Sequence, residues 1–116
     1  MTETSFHGWH AHIYFDADTK AEAERLCKTA SERFGLTMGR MHDGPVGPHP
    51  RASCQLSVSP EAFGDAIPWL SANRGRLTVF AHGESGDHLA DHTQHVLWLG
   101  PSEKLDLSLF TQPKPG

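Results

Sequence analysis

An α+β fold, with two helices laid on one face of an antiparallel sheet, follows from three observations in this sequence of 116 residues. Several short stretches carry apolar residues at every second position, the period of a half-buried strand. Two longer stretches repeat them at three- and four-residue spacing, the period of an amphipathic helix. Their order is strand, helix, strand, strand, helix, strand, and then one more short strand. A chain of this length builds one hydrophobic core and has no room for a second. A single domain over 1–116, with its core from about residue 9 to residue 100, is therefore expected to hold the function.

The first strand is "WHAHIYFD", residues 9–16. Alternation puts Trp9, Ala11, Ile13 and Phe15 on the core side and His10, His12 and Tyr14 on the other. Thr19 with Glu22 three residues later fits a capping box, and Asp18 is a competing cap. Ala23, Leu26, Cys27, Ala30 and Phe34 then repeat at helical spacing, and Gly35 suits a left-handed helix end. Leu36 to His42 reads as a second strand weakened by Gly39, and "DGPVGPHPR" after it is a constrained loop. From Ala52 to Val58 alternation returns, with Ser53, Gln55 and Ser57 forming a polar face. Ser59 followed by Pro60 starts the second helix, which Pro68 is expected to kink or restart before the stop at Gly75. "RLTVFAH" forms a fourth strand, with Phe80 and His82 on one side. A glycine-rich, acidic loop, "GESGDHLADHTQH", leads to a short apolar strand "VLWLG", and the tail "TQPKPG" looks frayed.

This order is the split βαβ, ferredoxin-like βαββαβ pattern with an extra C-terminal strand, its first and third strands central. The fourth strand is expected antiparallel beside the first, and the third parallel to it on the other side. His10, His12 and His82 then face away from the helices, and His49 enters the same end of the sheet from the proline loop. A face carrying Tyr14, Phe80 and imidazoles calls for either a pocket or a second subunit over it, so a homodimer is expected.

Composition narrows the chemistry. A net charge of −4 without a basic run removes the electrostatic footprint of nucleic-acid binding. Cys27 and Cys54 show no CxxC spacing, so neither a disulfide framework nor a thiolate zinc site is suggested. The start lacks the pattern of a signal peptide, and no apolar run is long enough to span a bilayer. A cytoplasmic protein that binds neither nucleic acid nor membrane is expected. Against one tyrosine stand nine histidines, and neutral imidazole is the commonest protein metal ligand.

Side chains two apart on a strand lie about 7 Å apart at the backbone and can both reach one ion. His10, His12 and His82 are the candidate ligands, and such a nitrogen set with open positions suits iron(II) or zinc. Taken alone, HxH in a strand also reads as two solvated histidines. Asp91 and His92 form either a supporting pair that orients a ligand or a piece of solvated loop. His7, His42, His88 and His95 read as surface, and Trp69 and Trp98 as core or interface. Arg40 and Arg51 are candidates to meet a substrate carboxylate, against the default of ordinary surface arginines.

Four ordered blocks, "WHAHIYFD", "GRMHDGPVGPHP", "PWLSANRGRLTVFAH" and "DHTQHVLWLG", together resemble the DOPA 4,5-dioxygenase family over about Trp9 to Gly100. The resemblance implies a ferredoxin-like fold, iron(II), dioxygen and extradiol opening of a catechol ring such as that of DOPA, towards betalain or muscaflavin pigments. It points to His10, His12, His49 and His82 as the motif histidines, with His92 next. An imidazole of near-neutral pKa could take and return the catechol proton, and His49 and His92 are the candidates. Trp9, Tyr14 and Phe80 are candidates to wall the ring, with Arg40 for a substrate carboxylate. The alternatives are a binding module without catalysis and a zinc hydrolase on the same histidines.

Overall fold

The computed structural model describes residues 6–111. Its elements are β1 (Trp9–Tyr14), a 3-10 turn (Ala17–Thr19), α1 (Lys20–Phe34), β2 (Thr37–His42), β3 (Ser53–Val58), α2 (Pro60–Asn73), β4 (Thr78–Gly83), α3 (His88–Asp91), β5 (Val96–Leu99) and α4 (Ser108–Thr111). From Gln112 on, the tail expected to fray lies outside the described residues, as do residues 1–5.

The strands form one antiparallel sheet in the order β2-β3-β1-β4-β5. β1 and β3 are the central pair of the βαββαβ unit, and β5 extends the sheet beyond β4. Both long helices lie on one face. Ala11, Ile13 and Phe15 meet Ala23, Leu26 and Cys27 of α1, Ala66 and Leu70 of α2, and Val79 and Ala81 of β4 in a single buried cluster. A fully buried leucine or isoleucine contributes about 1.5–3 kcal/mol. The strict alternation of β1 therefore decides which face meets the helices.

One pairing differs from expectation: β3 runs antiparallel to β1, with Trp9 opposite Val58 and Tyr14 opposite Ser53. The crossover through α1 returns the chain along the direction of β1, and the turn from β2 into β3 reverses it. His49, which precedes β3, therefore approaches from the Tyr14 end of β1 rather than from the Trp9 end.

Local signals differ in smaller ways. Thr19 Oγ1 accepts from the backbone N of Asp16 at 2.8 Å and does not box with Glu22, which instead accepts from Arg76 Nη2 at 2.7 Å. Pro68 does not end or restart the helix, since α2 runs unbroken from Pro60 to Asn73, although its missing N–H leaves one carbonyl of the preceding turn without its helical partner. Ser59 caps it as expected, its Oγ accepting from Ala62 N at 3.1 Å. Gly35 and Gly75 end their helices at φ of +67° and +57°, a region that costs side-chain-bearing residues dearly.

The sheet face opposite the helices carries its own cover. The proline loop before β3, α3 and the segment around α4 border it, and His12, Tyr14, Phe80 and His82 are all at most 5 % exposed. Arg51 anchors this cover, with Nη2 2.8 Å from Glu103 Oε2, Nη1 3.0 Å from Asp16 Oδ1 and its guanidinium 5.7 Å from the Tyr14 ring centre. Asp106 N donates to the Pro48 carbonyl at 2.9 Å and ties the C-terminal segment to the loop. Among the described residues no helix is long and apolar enough to cross a membrane.

Candidate metal centre

Register builds the site. His10 of β1 lies directly opposite His82 of β4, and His12 opposite Phe80. Residues paired across a strand project to one face, so His10, His12, Phe80 and His82 stand together on the side away from the helices. One ligand atom from each of His10, His12 and His82 can be chosen so that all lie within 4.8 Å of one another. The Nε2 atoms of His12 and His82 are 3.1 Å apart.

That separation is a direct test of fit. Two nitrogens bound at about 2.1 Å to one ion sit about 3.0 Å apart at a right angle and about 3.4 Å apart at the tetrahedral angle. The observed 3.1 Å falls between the two. Protonation agrees with it as well. Burial pushes His12 well below the usual histidine value, helped by the neighbouring imidazoles, and pushes His82 down to about 3. Burial also lowers His10, although Glu84 opposes the shift. Imidazoles kept from protonation, buried at His12 and His82 and partly buried at His10, keep a lone pair for a borderline cation, so the three residues fit a divalent transition-metal ion.

The remaining ring nitrogens are held from behind. His10 Nδ1 lies 2.9 Å from Glu84 Oε1, and His82 Nδ1 lies 3.3 Å from the Gly83 carbonyl and 3.4 Å from Glu84 Oε1. A carboxylate or carbonyl only accepts, so both Nδ1 atoms carry the proton and both Nε2 atoms are left as donors of a lone pair. Glu84 was not among the candidates from sequence. Strand parity did signal it, because it lies two residues beyond His82. Its N–H donates to the Gly8 carbonyl at 2.9 Å, which carries the β1–β4 pairing past Gly83 and onto the same face.

Around the three histidines lies a cleft of about 270 Å³, lined also by Pro48, His49, Gln55, Glu84, His88, His92, Leu109 and Phe110. His49 approaches His12 with ring centres 4.0 Å apart, and its Nδ1 is 2.8 Å from Tyr14 Oη. Burial lowers His49 to about 4 and raises the Tyr14 phenol far above its ordinary value, so both are neutral at pH 7. His92 approaches His82 with ring centres 4.1 Å apart, and Phe110 stacks on it at 4.5 Å. Phe80, a candidate to wall the substrate ring, does not line the cleft: it is fully buried beneath the imidazoles, with ring centres 6.0 Å from His12, 5.6 Å from His82 and 4.6 Å from Trp98.

The other candidates fall elsewhere. Trp9 lies on the helix side, its ring centre 4.6 Å from that of Phe63 in α2, because residue 9 shares its parity with Ala11 and Ile13. Arg40 is exposed on the edge strand β2 and is not among the residues lining the cleft, which include no lysine or arginine. Arg51 is occupied by Asp16 and Glu103. Asp91 is 1 % exposed, not solvated, and it does not orient His92. It accepts from Ser85 N at 2.9 Å, from Ser85 Oγ at 2.6 Å and from His95 Nδ1 at 2.8 Å, which pins the loop carrying α3. Burial alone would raise its pKa, but these donors hold the carboxylate below its ordinary value.

Comparison with known proteins bears on this geometry. The family model described as "Dopa 4,5-dioxygenase family" matches residues 9–109. A DOPA 4,5-dioxygenase of Amanita muscaria is 32 % identical over 109 residues, covering 86 % of this chain and 48 % of the relative. An uncharacterized 21.2 kDa protein of Botryotinia fuckeliana is 37 % identical over 118 residues, covering 89 % of this chain and 63 % of the relative. The chain thus spans about half to two thirds of the length of these fungal relatives. A crystal structure of a candidate dioxygenase from Nostoc punctiforme superposes with a TM-score of 0.86 at 39 % identity, covering 89 % of this chain and 90 % of the other.

Proposed function

The chain belongs to the Dopa 4,5-dioxygenase family, and from that footing we propose that it is an iron(II)-dependent dioxygenase that opens the ring of a small catechol by extradiol cleavage. The observation that carries this reading is the trio His10, His12 and His82, with ligand atoms within 4.8 Å of one another at the bottom of a cleft of about 270 Å³. His10, His12 and His82 would hold the ion. Iron(II) held there would supply redox chemistry between a catechol and dioxygen, which zinc would not.

The rest is done by this chain's own side chains. Glu84 holds the His10 and His82 rings with their lone pairs turned inward. Phe80, buried beneath the imidazoles, backs the rings of His12 and His82, and Leu109 and Phe110, which line the cleft, narrow the access of water. His49 and His92, both lining the cleft, stand where they can hydrogen-bond substrate oxygens or move a catechol proton. In this reading Tyr14 acts through His49, and Trp9 and Arg40 take no part in binding.

The reading extends to a homodimer working in a cytoplasm. Support comes from Val46, Leu89 and Leu109, exposed apolar side chains on the three segments that border the cleft, and from two free, buried thiols. Light scattering at micromolar concentration reads the oligomeric state, and a monomer removes that part.

Protein loaded anaerobically with iron(II) is expected to turn DOPA or another small catechol and oxygen into a yellow ring-fission product, while the zinc-loaded form gives none. Stoichiometric iron binding with no ring-fission product from DOPA, caffeate and protocatechuate overturns the catalytic reading. Activity with zinc and indifference to oxygen would instead mark a hydrolase.

A further inference from the structure

We propose that His49 and His92 are held in opposite tautomers, so that His49 presents an Nε2–H donor to the cleft and His92 an Nε2 lone pair, with Tyr14 as the positioning residue for His49. The inference rests on the reading above and divides the proton work within it: His92 is the base, and His49 is a hydrogen-bond donor that keeps its proton.

The two rings look alike in sequence and differ in what stands behind them. His92 Nδ1 is 2.7 Å from the His88 carbonyl, one helical turn back. A carbonyl cannot donate, so His92 Nδ1 carries the proton and Nε2 has the lone pair. The same carbonyl accepts the His92 backbone N–H at 3.2 Å, which its two lone pairs allow. Ring and backbone are thus tied to one acceptor.

His49 faces a hydroxyl, which donates or accepts, so the direction must be argued. Tyr14 is fully buried, and the sole hydrogen-bond partner of its Oη among the described residues is His49 Nδ1, at 2.8 Å. Were Nδ1 the donor, the phenolic proton would have no acceptor, the costly outcome for a buried polar group. A phenol is also the stronger acid of the two and imidazole nitrogen the better acceptor. Tyr14 therefore donates, Nδ1 is occupied, and the proton of His49 sits on Nε2. The Arg51 guanidinium against the Tyr14 ring, itself tied to Glu103 and Asp16, holds the phenol in place.

Two consequences follow for a bound catechol. When its O–H bond breaks, the electron pair stays on oxygen and the proton goes to His92 Nε2, while His49 Nε2–H hydrogen-bonds an oxygen that gains negative charge. His49 is also excluded as a metal ligand through Nε2 for as long as Tyr14 donates, although its ring lies as near His12 as any other.

Long-range proton–nitrogen correlation spectra of the metal-free protein, labelled with ¹⁵N at histidine, read each tautomer directly. His49 is expected as Nε2–H and His92 as Nδ1–H. In Tyr14→Phe, which keeps the ring and removes the hydroxyl, His49 is expected to populate Nδ1–H, zinc affinity not to fall, since the freed Nε2 lone pair can only add a ligand, and ring cleavage to fall about 100-fold, the order of cost of losing one donor to a developing oxyanion. An Nδ1–H tautomer at His49 or an Nε2–H tautomer at His92 in the wild type overturns the proposal. So does a His49 tautomer indifferent to Tyr14→Phe, or a loss of zinc affinity beyond tenfold, which would make His49 a ligand. Should Tyr14→Phe not fold, the wild-type tautomers decide. They do so whether or not ring cleavage is ever observed, so the two readings fail separately.

Discussion

Acidifying the metal-free protein from pH 8 to pH 5 is expected to remove a large part of its stability. In the unfolded chain a histidine titrates at its ordinary value of about 6.5, whereas burial holds His49 near 4 and His82 near 3 in the folded state. The depressed folded value sets the sign: stability is full above about pH 6.5 and is lost as pH falls towards the folded values, because the unfolded state takes up protons that the native state refuses. One pH unit is worth about 1.4 kcal/mol per group, so each of these histidines costs about 2 kcal/mol at pH 5, about 4 kcal/mol together. Both side chains are at most 7 % exposed, so little solvent screening reduces that figure. His12, lowered in the same direction by burial and by its neighbouring imidazoles, adds to it. Domains are stable by only about 5–15 kcal/mol in all, which makes the effect easy to see. Urea unfolding followed by tryptophan fluorescence at half-unit pH steps measures it, with carboxylates contributing mainly below the window. A free energy of unfolding that changes by less than about 1 kcal/mol from pH 8 to pH 5 refutes the reasoning, since it would mean that the histidines are hydrated or already paired with a proton.

Glu84→Gln removes the charge that faces His10 and His82 and is expected to weaken zinc binding about 10- to 100-fold in calorimetry, and an unchanged affinity would remove Glu84 from the support of the site. Phe80→Ala empties the floor beneath the imidazoles and should cost about 3–5 kcal/mol in urea unfolding, as large-to-small changes at fully buried aromatics do, so a loss under about 1 kcal/mol would show that the cleft collapses to fill the space.

Much of the site was legible before any coordinates. The two-residue alternation of "WHAHIYFD" and "RLTVFAH" assigns His10, His12, Tyr14, Phe80 and His82 to the side away from the helices, and the structure keeps that division. The same parity puts Trp9 on the helix side, so its candidacy as a substrate wall conflicted with the alternation that identified the others. Glu84, two residues past His82, shares its parity and stands on the same face. The direction of β3 was not a matter of pattern at all: it follows from tracing one crossover and one reversal through the chain.

What the chain reveals unaided is which side chains share a face, because the pleat of a strand and the turn of a helix are set by the backbone over a few residues. What lies behind each imidazole depends on contacts between residues far apart: Tyr14 on His49 across 35 positions, His12 on His82 across 70. Such contacts depend on register, on the path of the proline loop and on where the C-terminal segment is tied, none of which has a local periodicity to betray it. Tertiary structure alone therefore decided that the histidine face is roofed by its own chain, that Asp91 clamps Ser85 and His95 rather than orienting His92, and that two apparently equivalent histidines have different partners at their backs.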